Sequence, residues 1–363
     1  MPARHLLEGA GAARVFEQQA ALLRGAGWKV SAIAVAPTLS GRAIDRDALH
    51  AALERLGDTY AIVSDTRAVA MPAMLLGALA AKARGRWTLA EDRALSGYVD
   101  PSGLASLRVD AVICNYVQCI SAADALAPPE RQVLVLHDLD AGPIPKWLAE
   151  MAAIRGAVAL LNSQEADRLF SAGVPCATLP PIYRAADAMA PDGDQQTLLF
   201  VGGAHPPNIA GLRAFITDCF APRLAPRDVR LLIAGEAGPL ALAGREAPGV
   251  ECLGRVNELA EAYRAASLVI CPLLEGTGSS IKIAEALAAG KPVLATPVAW
   301  RGYGIDPGAA LEPPFDERWA TRILELLPNR PAREELFETG ASATSERTQG
   351  ATLLSLVERA VRK

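Results

Sequence analysis

The sequence predicts an α/β protein made of two doubly wound domains, each with a parallel sheet. Three observations carry the prediction. The apolar runs are continuous rather than alternating, which is how strands buried on both faces of a parallel sheet read. Amphipathic stretches of helical period lie between them, so strands and helices alternate and imply right-handed βαβ crossovers. The chain has 363 residues, too many for one compact core and enough for two. An aromatic share of 5% with abundant Ala favours many helices packed closely on sheets.

In chain order, "HLLEGAGAAR" (5–14) reads as a first βα turn, with a strand shortened to Arg4–Glu8 and Gly9 and Gly11 before a helix over Ala12–Ala26. With so little left for that strand, the expectation is an N-terminus that is truncated or begins elsewhere. The next strand candidates are "WKVSAIAVA" (28–36), "YAIVSD" (60–65), "DAVICNY" (110–116), "QVLVLHD" (132–138) and "AVALLNS" (157–163). Helices are expected over Asp45–Leu56 and Ser163–Ser171. The polar stretch "YRAADAMAPDGDQQ" (183–196), with Pro, Gly and Asp, breaks the rhythm and reads as a linker. Beyond it come strands "TLLFVGG" (197–203), "VRLLIAGE" (229–236), "VECLG" (250–254), "LVICPL" (268–273) and "PVLATP" (292–297). Their helices are expected over Pro207–Phe220, Asn257–Ala266, Ile281–Ala289 and Asp316–Leu327, with Ser163 and Asn257 as caps. The domains then run over 1–185 and 190–345, and a last helix follows "SERTQG" at Ala351–Arg362.

Charge and composition exclude several classes. A net charge of −4 without a basic cluster gives no footprint for nucleic acid. No apolar run has the length of a membrane span, and the first residues lack a signal peptide's apolar core. The expectation is a cytoplasmic protein, with a peripheral membrane contact left open. The nearest candidate for such a contact, "MPAMLLGALAAKARGRW" (71–87), reads better as a core helix with a charged end. Six cysteines without a CxxC pair read as buried, reduced thiols rather than a metal or disulfide framework.

In open α/β sheets ligands bind beyond the carboxyl ends of the strands, so the residues after each strand are the candidates. In "FVGGAHPPN", Gly202 and Gly203 precede a helix start with His205 and Asn208. Glycines there admit an anion to backbone N–H groups, and the helix end adds favourable partial charge. "EGTGSSIKIAE" repeats the arrangement with Glu275, Thr277, Gly278, Ser279 and Ser280. Lys282 and Glu285, three apart, share one face of the helix that follows. A Lys about 4 Å from a phosphate gains roughly 4 kcal/mol at an effective dielectric of 20, before desolvation. A carboxylate beside it would instead accept hydrogen bonds from two sugar hydroxyls. A nucleotide carries both groups. The bland alternatives are tight turns and a surface Lys–Glu pair. In "LHDLDAG", His137 ends a first-domain strand and is either a cleft residue or a structural histidine.

These residues resemble a known family. "LEGTGSSIKIAEALAAGKPVLATP", "TLLFVGGAHPPNIAGLRAF" and "VECLGRVNELAEAYRAASLVICPL" are similar to the GT-B glycosyltransferases of family 4 (group 1), which are retaining enzymes that use nucleotide sugars. "GAGAARVFEQQAALLRGAGWKV", "VLVLHDL" and "AVALLNSQEADRLFSAGV" fit that family's first domain. The resemblance implies two Rossmann-like domains facing a cleft, a donor site in the second domain, an acceptor against the first, and a last helix (351–363) that crosses back. It implies no cofactor and no metal, the donor being a UDP-sugar or GDP-sugar and the acceptor a hydroxyl of a glycan, lipid or small molecule, as in glycan, polysaccharide or glycoconjugate synthesis.

Carried over by position, Glu285 would bind the ribose, and Gly278, Ser279 and Ser280 would lie at the diphosphate. Arg255 and Val256 would frame the base, Gly203 would approach the phosphates, and His137 would meet the donor sugar. Gly9 and Gly11 would form the acceptor-side loop. The chain departs from the pattern in two further places. The first Glu of the motif, eight residues before Glu285, is Thr277 here, with Glu275 nearby. The Arg and Lys that follow the second domain's first strand are replaced by "GGAHPPN", so Lys282 and His205 are expected to supply positive charge. Those losses motivate an alternative, a catalytically degenerate binding subunit. A nucleotide-sugar 2-epimerase of similar layout would need cleft carboxylates that the sequence does not assemble.

Overall fold

The computed structural model describes residues 1–7, 10–37, 45–65, 104, 107–139, 142–181, 186, 188–191, 194–256, 259–276, 278–303, 310–343 and 346–363. The stretch 71–87, Gly9, Thr277 and Asn257 lie outside them. The chain divides into two compact units, residues 1–182 with 347–363, and residues 183–346.

In the first unit, β1 (Ser31–Pro37) and β2 (Thr59–Asp65) pair in parallel, with Ser31 opposite Thr59 and Pro37 opposite Asp65. A second parallel sheet has the order β3 (Val112–Asn115), β4 (Gln132–Leu136), β5 (Ala157–Leu160), β6 (Ala177–Thr178). Every residue of β4 and β5 is buried, as continuous apolar runs require. A cavity of about 500 Å3 lies between the two sheets, lined by Ile33 of β1 and Val112 and Cys114 of β3.

The expected strand at Arg4–Glu8 is not a strand over its described residues, 4–7. Ala3–Leu7 is a helix, α1. Only Met1 and Pro2 run beside β1: the terminal ammonium donates to the Ile33 carbonyl (3.0 Å), and the Val35 N–H donates to the Met1 carbonyl (2.9 Å). Helix α2 (Ala10–Gly25) then begins earlier than expected. Gly11 therefore lies inside a helix rather than in a glycine loop, because the Ala-rich run "AGAA" extends the helix toward its start.

Helix α3 (Arg46–Leu56) is capped by Asp45, whose carboxylate accepts from the Ala48 N–H at 3.0 Å. The shorter helices α4 (Ile120–Asp124), α5 (Lys146–Ala153) and α6 (Ser163–Ser171) complete the crossovers. The cap of α6 is Asn162, one residue before the expected Ser163, with its side-chain oxygen on the Gln164 N–H at 2.8 Å.

The second unit has one five-stranded parallel sheet. Its order is β11 (Val293–Ala295), β10 (Ala266–Cys271), β7 (Asp194–Val201), β8 (Arg230–Ala234), β9 (Val250–Gly254). Strand β7 starts three residues before the apolar run, because pairing extends through "DQQ". The chain just before it packs onto the same unit. Met189 is buried in its core, and the Ala190 N–H donates to the Gly290 carbonyl at 2.8 Å.

The crossovers are α7 (Pro206–Phe215), α8 (Ala237–Leu242), α9 (Leu259–Ala265) and α10 (Ile281–Ala288). The single helix expected over Pro207–Phe220 changes at Ile216 into a π-helical stretch, Ile216–Leu224, that contains Pro222. Proline has no N–H to continue the regular ladder. Helices α11 (Pro297–Trp300), α12 (Glu317–Leu326) and α13 (Arg330–Ala343) close the unit.

Phe215, Phe315 and Trp319 meet edge to face, with ring centroids 5.0–6.1 Å apart. All six cysteines are free, as expected, but Cys176 is half-buried and Cys252, on the edge strand β9, is exposed rather than buried.

The last helix, α14 (Glu346–Val361), lies in the first unit. Leu353, Leu356, Val357 and Ala360 join Val133, Val135, Ala157 and Ala159 in one core. Among the described residues no helix is long and apolar enough to cross a membrane.

Candidate functional site

The order of the second sheet sets the place of the site. From β7 the chain moves outward to β8 and β9. It then returns through α9 to β10, on the other side of β7. Neighbouring strands β7 and β10 therefore send their following loops to opposite faces, and the carboxyl ends part there. Such a switch point is where an open α/β sheet leaves a crevice.

The loop after β7 is held by its backbone. The Gly202 N–H donates to the Ala234 carbonyl (2.9 Å), and the Ala237 N–H donates to the Gly202 carbonyl (3.1 Å). Gly203 is exposed, with open space where a side chain would stand. His205 is exposed and occupies the cap position of α7, followed by Pro206 and Pro207 in its first turn. An N–H missing there costs the helix nothing. Asn208, only 8% exposed, turns back to donate to the Gly203 carbonyl at 3.1 Å.

The loop after β10 supplies the other half. Gly278 is buried with φ +62°, Ser279 is half-buried, and Ser280 is the buried cap residue of α10. The Tyr303 hydroxyl donates to the Ser280 carbonyl (2.9 Å), and the Thr296 hydroxyl donates to the Leu273 carbonyl (2.6 Å). Both donors come from the segment after β11, which braces the loop. Glu275 is exposed.

Lys282 joins the two loops, its Nζ donating to the Asn208 Oδ1 at 2.7 Å. Burial holds its ammonium below the ordinary lysine range. The charges of Cys271 and Glu285 oppose that shift, and Arg301 adds to it. Half-buried Glu285 follows one turn later. Burial also pushes the Tyr303 phenol up.

Gly202, Gly203, His205, Asn208, Gly278, Ser279, Ser280, Lys282 and Glu285 thus gather around one switch point. Arg255 and Val256 do not join them. They follow β9, the far edge strand, where Arg255 is exposed and Val256 lines a surface hollow with Arg230 and Glu251. Arg301 and Tyr303 belong to this group although sequence reasoning passed over them. Their signal was weaker, since they stand beyond "PVLATP" and past helix α11.

In the first unit, His137 follows β4 and is 7% exposed. Its Nε2 lies 2.9 Å from the Asn115 Oδ1, and the Asn115 amide donates to the Gln19 Oε1 at 2.9 Å. With the amide hydrogens committed to Gln19, the Asn115 oxygen must accept, so the network puts a hydrogen on Nε2 of His137. Tyr116 stacks on the imidazole with centroids 4.0 Å apart, and its backbone takes φ 72°, rare for a residue with a side chain. Asn115 and Gln19 are supporting residues that sequence reasoning missed. Their spacing of 96 residues gives no local pattern.

Residues 195–329 match the family model Glycosyl transferases group 1. No curated protein matches the chain. Among solved structures it is similar to a glycosyltransferase from Rickettsia africae ESF-5, with TM-score 0.63 and 12% identity over 100% of this chain and 97% of that one. It is similar to Anabaena HepE in complex with UDP, with TM-score 0.55 and 14% identity over 96% of each chain. TarM gives TM-score 0.55 and 16% identity over 71% of this chain, and the match spans 57% of TarM's length. The second unit thus matches the group 1 glycosyl transferases over residues 195–329, and the fold of the chain is that of solved glycosyltransferases.

Proposed function

We propose that the chain is a retaining glycosyltransferase that moves a sugar from a UDP-sugar or GDP-sugar to a hydroxyl acceptor, in the synthesis of a glycan, polysaccharide or glycoconjugate. The observation that carries this reading is the bond between Lys282 and Asn208, at 2.7 Å. It joins two glycine-bearing loops at the switch point of a parallel sheet. A diphosphate fits there. It meets a lysine charge, the N–H groups at Gly278–Ser280 and the start of α10. In this reading Glu285, one turn further, accepts from ribose hydroxyls. HepE, of the same fold, holds UDP.

In this reading the donor's C–O bond to the diphosphate breaks while the acceptor oxygen bonds to the same face of the anomeric carbon. The acceptor proton passes to the departing phosphate oxygen. The protein's work is then positioning and stabilisation of charge growing on the diphosphate, which Lys282 and the loop N–H groups meet without a metal. Within the second unit, Glu275 is assigned to the transferred sugar; His137, oriented by Asn115, is the first unit's own candidate.

Incubation with UDP- and GDP-sugars tests the proposal. Release of one nucleoside diphosphate, with transfer to added alcohols or oligosaccharides and the donor's anomeric configuration kept in the product, is the expected result. Inverted product would overturn the retaining assignment. Nucleotide binding with neither transfer nor hydrolysis would favour the degenerate subunit that Thr277 in place of a glutamate suggests.

A further inference from the structure

The second unit carries a second cation at the same loop. Arg301 follows α11, beyond the carboxyl end of β11, the strand beside β10. Its guanidinium lies against the backbone of Gly276. A methyl group on Gly276 would stand 2.8 Å from the Arg301 Cζ and closer still to Nη2, so any side chain there must push the guanidinium away. Arg301 Nη1 donates to the Val298 carbonyl. Its segment is tied to the 273–280 loop on either side, by Thr296 on the Leu273 carbonyl and Tyr303 on the Ser280 carbonyl. The loop and the arginine are therefore placed as one piece.

Electrostatics point the same way. The charge of Arg301 reaches Lys282, Cys271 and Tyr303. Two cations held together in a partly buried place repel each other, and among the described residues Glu285 is the acidic side chain whose charge also acts on Lys282. An anion of two negative charges would relieve that repulsion. A guanidinium presents a planar fork that matches phosphate oxygens in pairs, where an ammonium acts as a point charge.

We propose that Arg301 binds the diphosphate of the donor nucleotide together with Lys282, and that Gly276, whose φ of +155° itself favours glycine, leaves the guanidinium its place. The inference rests on the nucleotide-sugar reading above. It assigns to the segment after β11 the second positive charge that the loop after β7 lacks. It also predicts a preference for a nucleoside diphosphate over the monophosphate of the same base.

Calorimetric titration of UDP, GDP and ADP, each beside its monophosphate, tests it on the full chain. Wild type should bind one diphosphate clearly more tightly than the matching monophosphate. Arg301→Gln should weaken that diphosphate by about tenfold or more and the monophosphate by less than about threefold. Arg301→Lys should recover part of the loss, since it restores charge without the fork. Gly276→Ala, which keeps the arginine but displaces it, should show the same selective loss and serves if Arg301→Gln does not fold. Unchanged diphosphate affinity in the folded variants, or equal loss of both ligands, would overturn the assignment and leave Arg301 a structural residue. No nucleotide bound by wild type would overturn the nucleotide-sugar reading itself, and this inference with it.

Discussion

In the proposed reading, Lys282 is the residue on which the chemistry turns. Its ammonium is held partly out of water, at a cost to the empty protein, and donates to a neutral amide oxygen. Lys282→Ala should therefore lower turnover by about a hundredfold or more, the usual scale for losing one donor to a developing oxyanion. Its unfolding temperature should stay at or above that of wild type. Unchanged turnover in a steady-state assay would remove Lys282 from the site.

The pH dependence follows from the same burial. A lysine whose folded pKa lies below its unfolded one opposes folding while it is charged, and that penalty fades as pH rises through the folded value. A bound diphosphate reverses the preference and favours the charged form. Diphosphate affinity should thus fall as pH rises toward the ordinary lysine range, beginning below it, with proton uptake on binding in that window. Calorimetry in two buffers of different ionisation enthalpy reads both. An affinity flat up to the ordinary lysine range would contradict the description.

The residues legible in the sequence were those with a local signature. Gly202, Gly203, Ser280 and Lys282 stand directly after apolar runs and at helix starts. Arg301 stands farther along, inside "PVAWRG", after a strand of three residues and without a glycine pair. Asn115 and Gln19 meet only through the fold.

At the scale of elements, close packing of helix on strand end gives the sharpest stability test. Gly211 in α7 faces the Pro272 carbonyl just after β10, and a Cβ there would overlap it. Gly211→Ala should cost about 1–3 kcal/mol by overpacking backbone that cannot withdraw, while Gly203→Ala, facing open space, should change stability little. Denaturant unfolding of the pair checks this, and equal stability would contradict it.

Arg333 makes a second test. It is fully buried, and its Nη1 donates to the Leu326 carbonyl at 2.6 Å and to the Leu327 carbonyl, closing the carboxyl end of α12. Arg333→Ala strips those carbonyls of a partner and opens a cavity, so it should cost about 2–5 kcal/mol.

Strands proved more legible than helix boundaries. A strand buried on both faces announces itself as an unbroken apolar run, and β4, β5 and β10 do so. The short segment at Arg4–Glu8 misled, because five residues of mixed character carry no reliable period, and helix α1 formed there. The change to π-helix at Ile216 depends on where Pro222 falls within the turn, which an amphipathic pattern does not report.

At the scale of the molecule, the α/β class and the parallel sheets were readable from alternation alone, because each crossover forces the same handed layering. The assignment of α14 to the first unit rested on the family resemblance, since nothing local to its sequence names its partners. Its Leu353, Leu356 and Val357 cover β4 and β5, each worth about 1.5–3 kcal/mol when buried. A chain ending at residue 345 should therefore show the transition of the first unit shifted down sharply or lost in calorimetry. The transition of the second unit should remain near its place.

The central claim is that the loops after β7 and β10 form a diphosphate site at the switch point. A thermal-shift panel of UDP, GDP, ADP and their sugar conjugates tests it most directly, with wild type and Lys282→Ala side by side. A ligand at about 100 times its Kd adds roughly 2.7 kcal/mol, several degrees for a unit of this size. The account predicts such a rise in wild type with UDP or GDP and its sugar conjugates, and a rise cut to a small remainder in Lys282→Ala. No rise with any nucleotide, or an equal rise in both proteins, would contradict it.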